Sequence, residues 1–292
     1  MAPSKKQVKD VLSQHNLFPK KGLGQNFLVD PHYQDKILQC IPATREDVLL
    51  EIGPGLGNLT ESLLERAGTL IAVEKDIQFC KILQQQFAHY TNLHILNTDI
   101  LSFDIRSFLN KHNIVRDKII VFGNLPYYIT TPILEHLVDH RNIIKSAYLT
   151  LQHEVAKRLS TAEGSRLYGR LSVFLQFYAE LTLLATIPPE AFYPAPDVRS
   201  AFIEILFHEE LPVCVKDEAL FFELVKCAFS ARRKNILNAL STKPFLGLDR
   251  DMLRTVFERC GLDPTRRAES FSIEELARLA DYFFTKHNRR RQ

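Results

Sequence analysis

From about residue 47 to residue 207 the chain alternates strand-like and helix-like segments, and this alternation limits the possible folds more than any other feature. Val48-Leu49-Leu50-Glu51-Ile52 is a short apolar run that ends at a glycine cluster, and Leu59 to Arg66 has helical spacing. Leu70 to Glu74 reads as a strand and Ile77 to Phe87 as a helix; Leu93 to Leu96 and Lys118 to Phe122 are further strands. Pro132 to Val138 is helical in pattern, and Ala147 to Leu151 is again strand-like. Such spacing implies βαβ units, hence a mostly parallel sheet with helices on both faces. Leu181 to Ile187 and Ala201 to Phe207 have only a Pro-rich loop between them, too short for a crossover helix. They are expected to form an antiparallel hairpin at the sheet edge. After His208 the periodicity turns helical, over Ala219–Leu240, Arg250–Cys260 and Ile273–His287, with Ser272 and Glu275 placed as a capping box. The expected organisation is an α/β domain over 1–208, with a basic N-terminal extension, and a small all-α domain over 209–292.

Hydrophobic residues make up 46% of the chain, enough for a real core and too many for a disordered chain. No apolar run reaches the ~18 residues of a membrane span. The basic start, Met1 to Lys6, is not followed by the apolar stretch of a signal peptide. Five scattered cysteines, odd in number and without a C-x-x-C pair, suggest buried thiols in a reducing cytoplasm; neither a disulfide framework nor a bound metal is expected. The formal charge of +3 is unevenly spread: +3 over 1–30, −3 over 31–208 and +3 over 209–292. Basic ends around a mildly acidic middle fit a polyanionic partner. The final Arg289-Arg290-Arg291 is expected to fray.

Glu51-Ile52-Gly53-Pro54-Gly55-Leu56-Gly57-Asn58 follows the first strand and opens a helix. Glycines let the backbone turn tightly and approach a ligand. A dinucleotide fingerprint would read G-x-G-x-x-G. Here the third glycine comes one residue early and Asn58 stands at the expected glycine position, which argues against a nicotinamide enzyme. G-x-G-x-G is the methyltransferase form of the loop, facing the methionine part of S-adenosylmethionine, so the sheet is expected to be the Rossmann-like sheet of class I methyltransferases. Glu74, at the end of the next strand, can accept hydrogen bonds from both ribose hydroxyls, and Asp99, after the third, can accept one from the cofactor's adenine amine. Alone, each carboxylate reads as a solvated strand end; at the ends of successive strands they read as a ligand site.

The fourth strand ends in Asn124-Leu125-Pro126-Tyr127. An isolated N-x-P-Y is more simply a proline turn with core tyrosines, but this one stands a strand after Asp99 on the same sheet edge. The residue types suit an exocyclic adenine amine, whose lone pair is delocalised into the ring. An Asn oxygen and a nearby backbone carbonyl can accept its two N–H bonds, favouring pyramidalisation and aiming the lone pair at a sulfonium methyl. Pro126 stiffens the turn. Tyr127 offers a stacking face worth about 1–3 kcal/mol per base. A second wall is expected from Phe192, in the Pro-rich segment Phe192 to Ser200.

Together these motifs resemble the ribosomal RNA small-subunit adenine dimethyltransferases, the dimethyladenosine transferase family, over nearly the whole chain. The resemblance begins with Lys20-Lys21-Gly22-Leu23-Gly24-Gln25-Asn26-Phe27-Leu28 and extends to Phe229–Leu240 in the helical region. It implies N6,N6-dimethylation of two adjacent adenosines near the 3′ end of small-subunit ribosomal RNA, within an immature small subunit, by a monomeric enzyme. Asn26, Leu28, Gly53, Gly55, Glu74, Asp99 and Asn124 are the implied cofactor contacts; Asn124, Leu125, Pro126, Tyr127 and Phe192 are the expected reaction site. Lys20, Lys21, Arg232, Arg233 and Lys234 are the expected RNA contacts, phosphate neutralisation being the main sequence-independent source of affinity. Two rival readings share the scaffold: a large-subunit adenine methylase of the macrolide-resistance type, and a non-catalytic ribosome-assembly or transcription factor.

Overall fold

The computed structural model describes residues 4–114, 118–242 and 245–289, without the side chains of Lys21, Leu246 and residues 286–289. The strands are β1 (Phe27–Leu28), β2 (Val48–Ile52), β3 (Thr69–Glu74), β4 (Leu93–Asn97), β5 (Ile119–Asn124), β6 (Ile144–Gln152), β7 (Ala179–Ile187), β8 (Phe192–Tyr193) and β9 (Ser200–Phe207). Seven of them form one sheet in the order β4-β3-β2-β5-β6-β9-β7. Pairing is parallel from β4 through β6, and β9 runs antiparallel to β6. Leu49, Leu50, Leu70, Ile71 and Val121 are fully buried, as expected where helices cover both faces of a parallel sheet. The chain steps outward from β2 to β3 and β4, then returns to place β5 on the other side of β2. That reversal is a topological switch point, and its crevice lies at the C-terminal ends of β2, β3 and β5.

The helices are α1 (Lys5–Gln14), α2 (Pro31–Cys40), α3 (Thr60–Leu64), α4 (Ile77–Gln86), α5 (Ile105–Lys111), α6 (Thr130–Asp139), α7 (His153–Ser160), α8 (Arg170–Tyr178), α9 (Glu218–Ala228), α10 (Ile236–Thr242), α11 (Arg250–Cys260) and α12 (Ile273–Arg289). The N-terminal extension, for which no helix was expected, carries α1, started by a capping box between Ser4 and Gln7. Its Val8 and Leu12 are buried in a cluster with Phe27, Leu56 and Phe79. Each such burial is worth roughly 1.5–3 kcal/mol and seats the helix beside the glycine loop. A second, two-stranded sheet pairs Phe27 with Tyr193 and Leu28 with Phe192, antiparallel.

Two compact units emerge: Met1–Ala156 with Leu181–Phe207, and Lys157–Glu180 with His208–Gln292. The segment Lys157–Glu180, read from the sequence as part of the first domain, groups with the helical residues instead. The reason is aromatic packing: Phe177 of α8 lies 5.0 Å from Phe221 and Phe174 lies 5.6 Å from Phe222, ring centroid to centroid. The helix expected over Ala219–Leu240 is two helices, α9 and α10. Ser230 Oγ turns back onto the Cys227 carbonyl and Asn235 Oδ1 accepts from Asn238 N–H, so one helix ends and a second is capped within eight residues. The capping box at Ser272 and Glu275 is formed as expected, at 3.0 and 3.2 Å. No helix among the described residues is long and apolar enough to cross a membrane.

Candidate active site

At the switch point lies an open cleft, at the C-terminal ends of β2, β3 and β5. It is lined by Gly53 and Gly55 from the glycine loop, Glu74 from β3, Asp99 after β4, and Asn124 and Pro126 at the end of β5. The N-terminal signature contributes Leu23 to Leu28. Seven residues expected as cofactor contacts, Asn26, Leu28, Gly53, Gly55, Glu74, Asp99 and Asn124, therefore share one cavity wall.

The loop's third glycine is dictated by packing. Gly57 has φ +81°, and a Cβ there would lie 2.7 Å from the Phe87 ring. Asn58, one residue on, does work a glycine could not. Its Nδ2 donates to the Leu28 carbonyl at 2.7 Å, and Gln34 Nε2 donates to the same oxygen at 2.7 Å. Asn58 thus ties the N-terminal signature to the glycine loop. Its Oδ1 is buried and has no hydrogen-bond partner among the described residues.

Glu74 is 7% exposed. Its two carboxylate oxygens accept from Gly55 N–H at 3.0 Å and Asp76 N–H at 2.8 Å. Burial raises its pKa, and those backbone donors partly oppose the rise. Behind it Glu51, 2% exposed, accepts from Thr60 Oγ1 at 2.8 Å. Burial pushes Glu51 up to about 8, Thr60 opposing and the charge of Glu74 adding. Asp99 differs: it accepts from Lys75 Nζ at 2.8 Å and Leu101 N–H at 3.0 Å. Burial pushes its carboxyl up, but these donors outweigh that and hold it below the usual range.

Asn124 Nδ2 donates to the Asn26 backbone carbonyl at 2.8 Å. A carbonyl can only accept, so this bond fixes the amide's orientation and leaves Oδ1 in the acceptor role. The neighbouring loop is pressed against the same turn: Gly24 has φ +61°, and a Cβ there would lie 2.9 Å from Pro126 Cβ. Tyr127 is half-buried, and its hydroxyl lies 2.6 Å from Ser200 Oγ. Burial raises the Tyr127 pKa, and Ser200 partly offsets it. Of the two tyrosines it is Tyr128, 54% exposed and not singled out from the sequence, that lines the cleft, together with Phe27, Phe79 and Phe122. Leu125 is a core residue, 2% exposed, that packs under Gly123.

Two residues expected at the reaction site, Leu125 and Phe192, are buried and do not line the cleft. Phe192, proposed as a second aromatic wall, is 1% exposed and lies in the main core with Leu28, Ile187 and Ala191. Alternation along β8 turns Phe192 inward and leaves Tyr193 partly exposed, with Lys5 and Lys9 5.9 and 5.2 Å from the centre of its ring. Lys20, expected on RNA, has its ammonium on Asp76 at 2.7 Å. The side chain of Lys21 and the residues Arg290 and Arg291 lie outside the described residues. In the helical unit Arg232, Arg233 and Lys234 are exposed in the turn between α9 and α10; Arg232 donates to the Arg166 carbonyl and Lys234 to Thr242 Oγ1. Asn58, Glu51 and Asp76 were missed as site residues because burial, which marks all three, has no signature in a single sequence.

A mostly parallel sheet with a glycine loop after its first strand, strand-end carboxylates beyond it and an Asn-Leu-Pro-Tyr turn at the switch point defines a Rossmann-like class I methyltransferase. The chain belongs to the ribosomal RNA adenine dimethylase family, whose model matches residues 17–284. It is 40% identical over 277 residues to ribosomal RNA small subunit methyltransferase A of Lachnoclostridium phytofermentans, covering 94% of this chain and 95% of that one. It is 37% identical to the protein of that name from Halothermothrix orenii, covering 95% of this chain and 92% of that one. In fold it is similar to a dimethyladenosine transferase from Plasmodium falciparum, with a TM-score of 0.76 at 22% identity over 90% of this chain and 98% of that one. It also resembles the 23S rRNA methyltransferase ErmE, with a TM-score of 0.66 at 22% identity over 88% of this chain and 98% of that one.

The family implies S-adenosylmethionine as methyl donor. The residues fit it. Glu74 keeps lone pairs for two ribose hydroxyls, Asp99 offers an acceptor at the adenine end, and the unpartnered Asn58 Oδ1 is an acceptor beside the glycine loop. Among the described residues no group of three or more His, Cys, Asp or Glu is placed to hold a metal ion.

Proposed function

We propose that the protein dimethylates the N6 amines of two adjacent adenosines near the 3′ end of small-subunit ribosomal RNA, acting as a monomer on an immature small subunit. The observation that carries this reading is the Asn124 amide, oriented by the Asn26 carbonyl at 2.8 Å on the wall of the cleft that holds Glu74 and Asp99. The relatives named for the small-subunit activity support the choice of subunit.

When bound, S-adenosylmethionine supplies an electrophilic methyl. Asn124 Oδ1 accepts one N–H of the target amine, so the nitrogen lone pair is drawn out of conjugation and aimed into the cleft. Gly24 packed on Pro126 keeps the turn from relaxing. The Tyr127 ring, held by its hydroxyl on Ser200, presents a face to the extruded base. No strong base is required, since the methylated ammonium is acidic enough to release its proton to water. Arg232, Arg233 and Lys234 neutralise RNA phosphates, and recognition rests on RNA shape and loops rather than duplex base edges.

The ErmE-like fold keeps one alternative specific: methylation of large-subunit RNA. Labelled-methyl transfer to immature small subunits, followed by primer extension on both ribosomal RNAs, tests the two together. Paired stops near the small-subunit 3′ end are expected; a stop on large-subunit RNA alone overturns the assignment, and no transfer at all favours the assembly-factor reading. Arg232→Gln with Arg233→Gln should weaken RNA binding and lower the magnitude of its salt slope by about 0.7–0.9 per lost phosphate contact.

A further inference from the structure

The N-terminal signature is fastened at both ends of the cleft. At one end Lys20 Nζ and Gln25 Nε2 both donate to Asp76 Oδ2, at 2.7 and 3.2 Å. Gln25 Oε1 in turn accepts from Lys20 N–H at 2.8 Å, closing the segment into a small ring around that carboxylate. At the other end the Asn26 carbonyl holds Asn124. Asp76 is itself buried, its side chain 2% exposed, and its backbone N–H donates to Glu74 Oε1 at 2.8 Å. Glu74, Asp76, the 20–26 segment and Asn124 therefore form one continuous chain of contacts from the ribose side to the reaction side. Leu23 to Asn26 of this segment line the cleft, so the fastened stretch is itself part of the wall.

We infer that Asp76 is a positioning residue, a latch whose carboxylate holds segment 20–26 closed across the cofactor and so links occupancy beside Glu74 to the pose of Asn124. This rests on the methyltransferase reading above. Lys20 is then an internal pin of the enzyme rather than a contact to RNA. A helix cap alone does not explain the arrangement. Capping of α4 uses Asp76 Oδ1, which accepts from Gln78 N–H, whereas the latch uses Oδ2.

The separation of the two oxygens makes the test clean. Asp76→Asn keeps a good capping side chain for α4 while removing the charge that Lys20 meets. Lys20→Met removes the same contact from the other side and leaves α4 untouched. Calorimetry with S-adenosylmethionine should give a dissociation constant raised roughly tenfold in either variant, the scale of one charge-assisted hydrogen bond. The double variant should be within about twofold of Asp76→Asn alone, since both remove one interaction. Backbone amides 20–28 should exchange faster with deuterium in all three, while those of α4 stay protected. RNA binding should keep its salt slope in Lys20→Met. Unchanged cofactor affinity in Lys20→Met with a flatter salt slope would place Lys20 on a phosphate and overturn the latch. Unchanged exchange over 20–28 would overturn it as well. If the unmodified protein binds no S-adenosylmethionine, the methyltransferase reading itself falls; normal binding with indifferent variants sinks the latch alone.

Discussion

The two rims of the cleft are built from opposite chemistry. On the β2–β3 side stand three buried acids, Glu51, Glu74 and Asp76, each 7% exposed or less. On the β5 side the polar groups are neutral: the Asn124 amide and, behind it, the Tyr127 and Ser200 hydroxyls. A cofactor with hydroxyls and a positive charge is recognised by acceptors that carry charge or can take it up. A target amine must stay unprotonated to act as a nucleophile, so a neutral acceptor that takes its N–H without supplying a proton suits it better. The acids also differ among themselves. Glu74 is held by backbone dipoles with its pKa raised, whereas Asp76 and Asp99 are held by lysines and lie low.

The largest expected effect falls on the neutral rim. Asn124→Ala should lower turnover at saturating cofactor about 10²–10³-fold, the scale of losing one aimed polar group, as read by single-turnover methyl transfer. Asn124→Asp sharpens the contrast: if neutrality matters, the carboxylate variant fails as badly as alanine, and substantial turnover in it breaks the distinction. Next comes Glu51. The folded protein keeps its proton up to about pH 8 while the unfolded chain releases it near the ordinary 4.5, so stability falls as pH rises between those values. At about 1.4 kcal/mol per pKa unit the penalty reaches a few kcal/mol. Glu51→Gln should remove it, seen as denaturant midpoints that no longer drop between pH 5 and pH 8. Glu74→Gln should weaken S-adenosylmethionine binding roughly tenfold, with turnover at saturating cofactor nearly kept; loss of turnover with normal binding would move Glu74 to the wrong rim. The smallest effect belongs to Lys75→Met. Both partners of its ion pair are open to solvent, Lys75 54% and Asp99 30% exposed, whereas Asp76 beneath Lys20 is 2% exposed; the Michaelis constant for cofactor should therefore move by no more than about threefold.

Much of this was readable beforehand, for identifiable reasons. The central strands β2, β3 and β5 announced themselves as apolar runs, because burial on both faces leaves few polar positions to blur the pattern. Glu74 and Asn124 were legible because each closes a strand, and Asp99 because it stands two residues past one. What escaped was set by partners distant in sequence. Phe192 looked like a ledge beside two prolines, and only its pairing with Leu28 shows that it faces the core. Lys20 looked like a free cation until Asp76, 56 residues away, was placed beside it. The break at 229–235 was hidden because apolar spacing continued across it while Ser230 and Asn235 redirected the backbone. The helix α8 looked like part of the first domain until Phe174 and Phe177 met Phe221 and Phe222.

The two-stranded pairing of β1 with β8 has a consequence for how such a chain can change. Phe27 faces Tyr193 and Leu28 faces Phe192, and the next step is locked by Val29 N–H on the Ala191 carbonyl at 2.8 Å. Side chains alternate along a strand, Phe27 facing the cluster under α1 and Leu28 the main core, so adding or deleting one residue in either short segment would exchange the two faces and move Leu28 or Phe192 out of the main core. Segments more than 160 positions apart in sequence are thus held to a common reading frame. Within these two segments length variation is therefore tolerated only as a matched pair of edits.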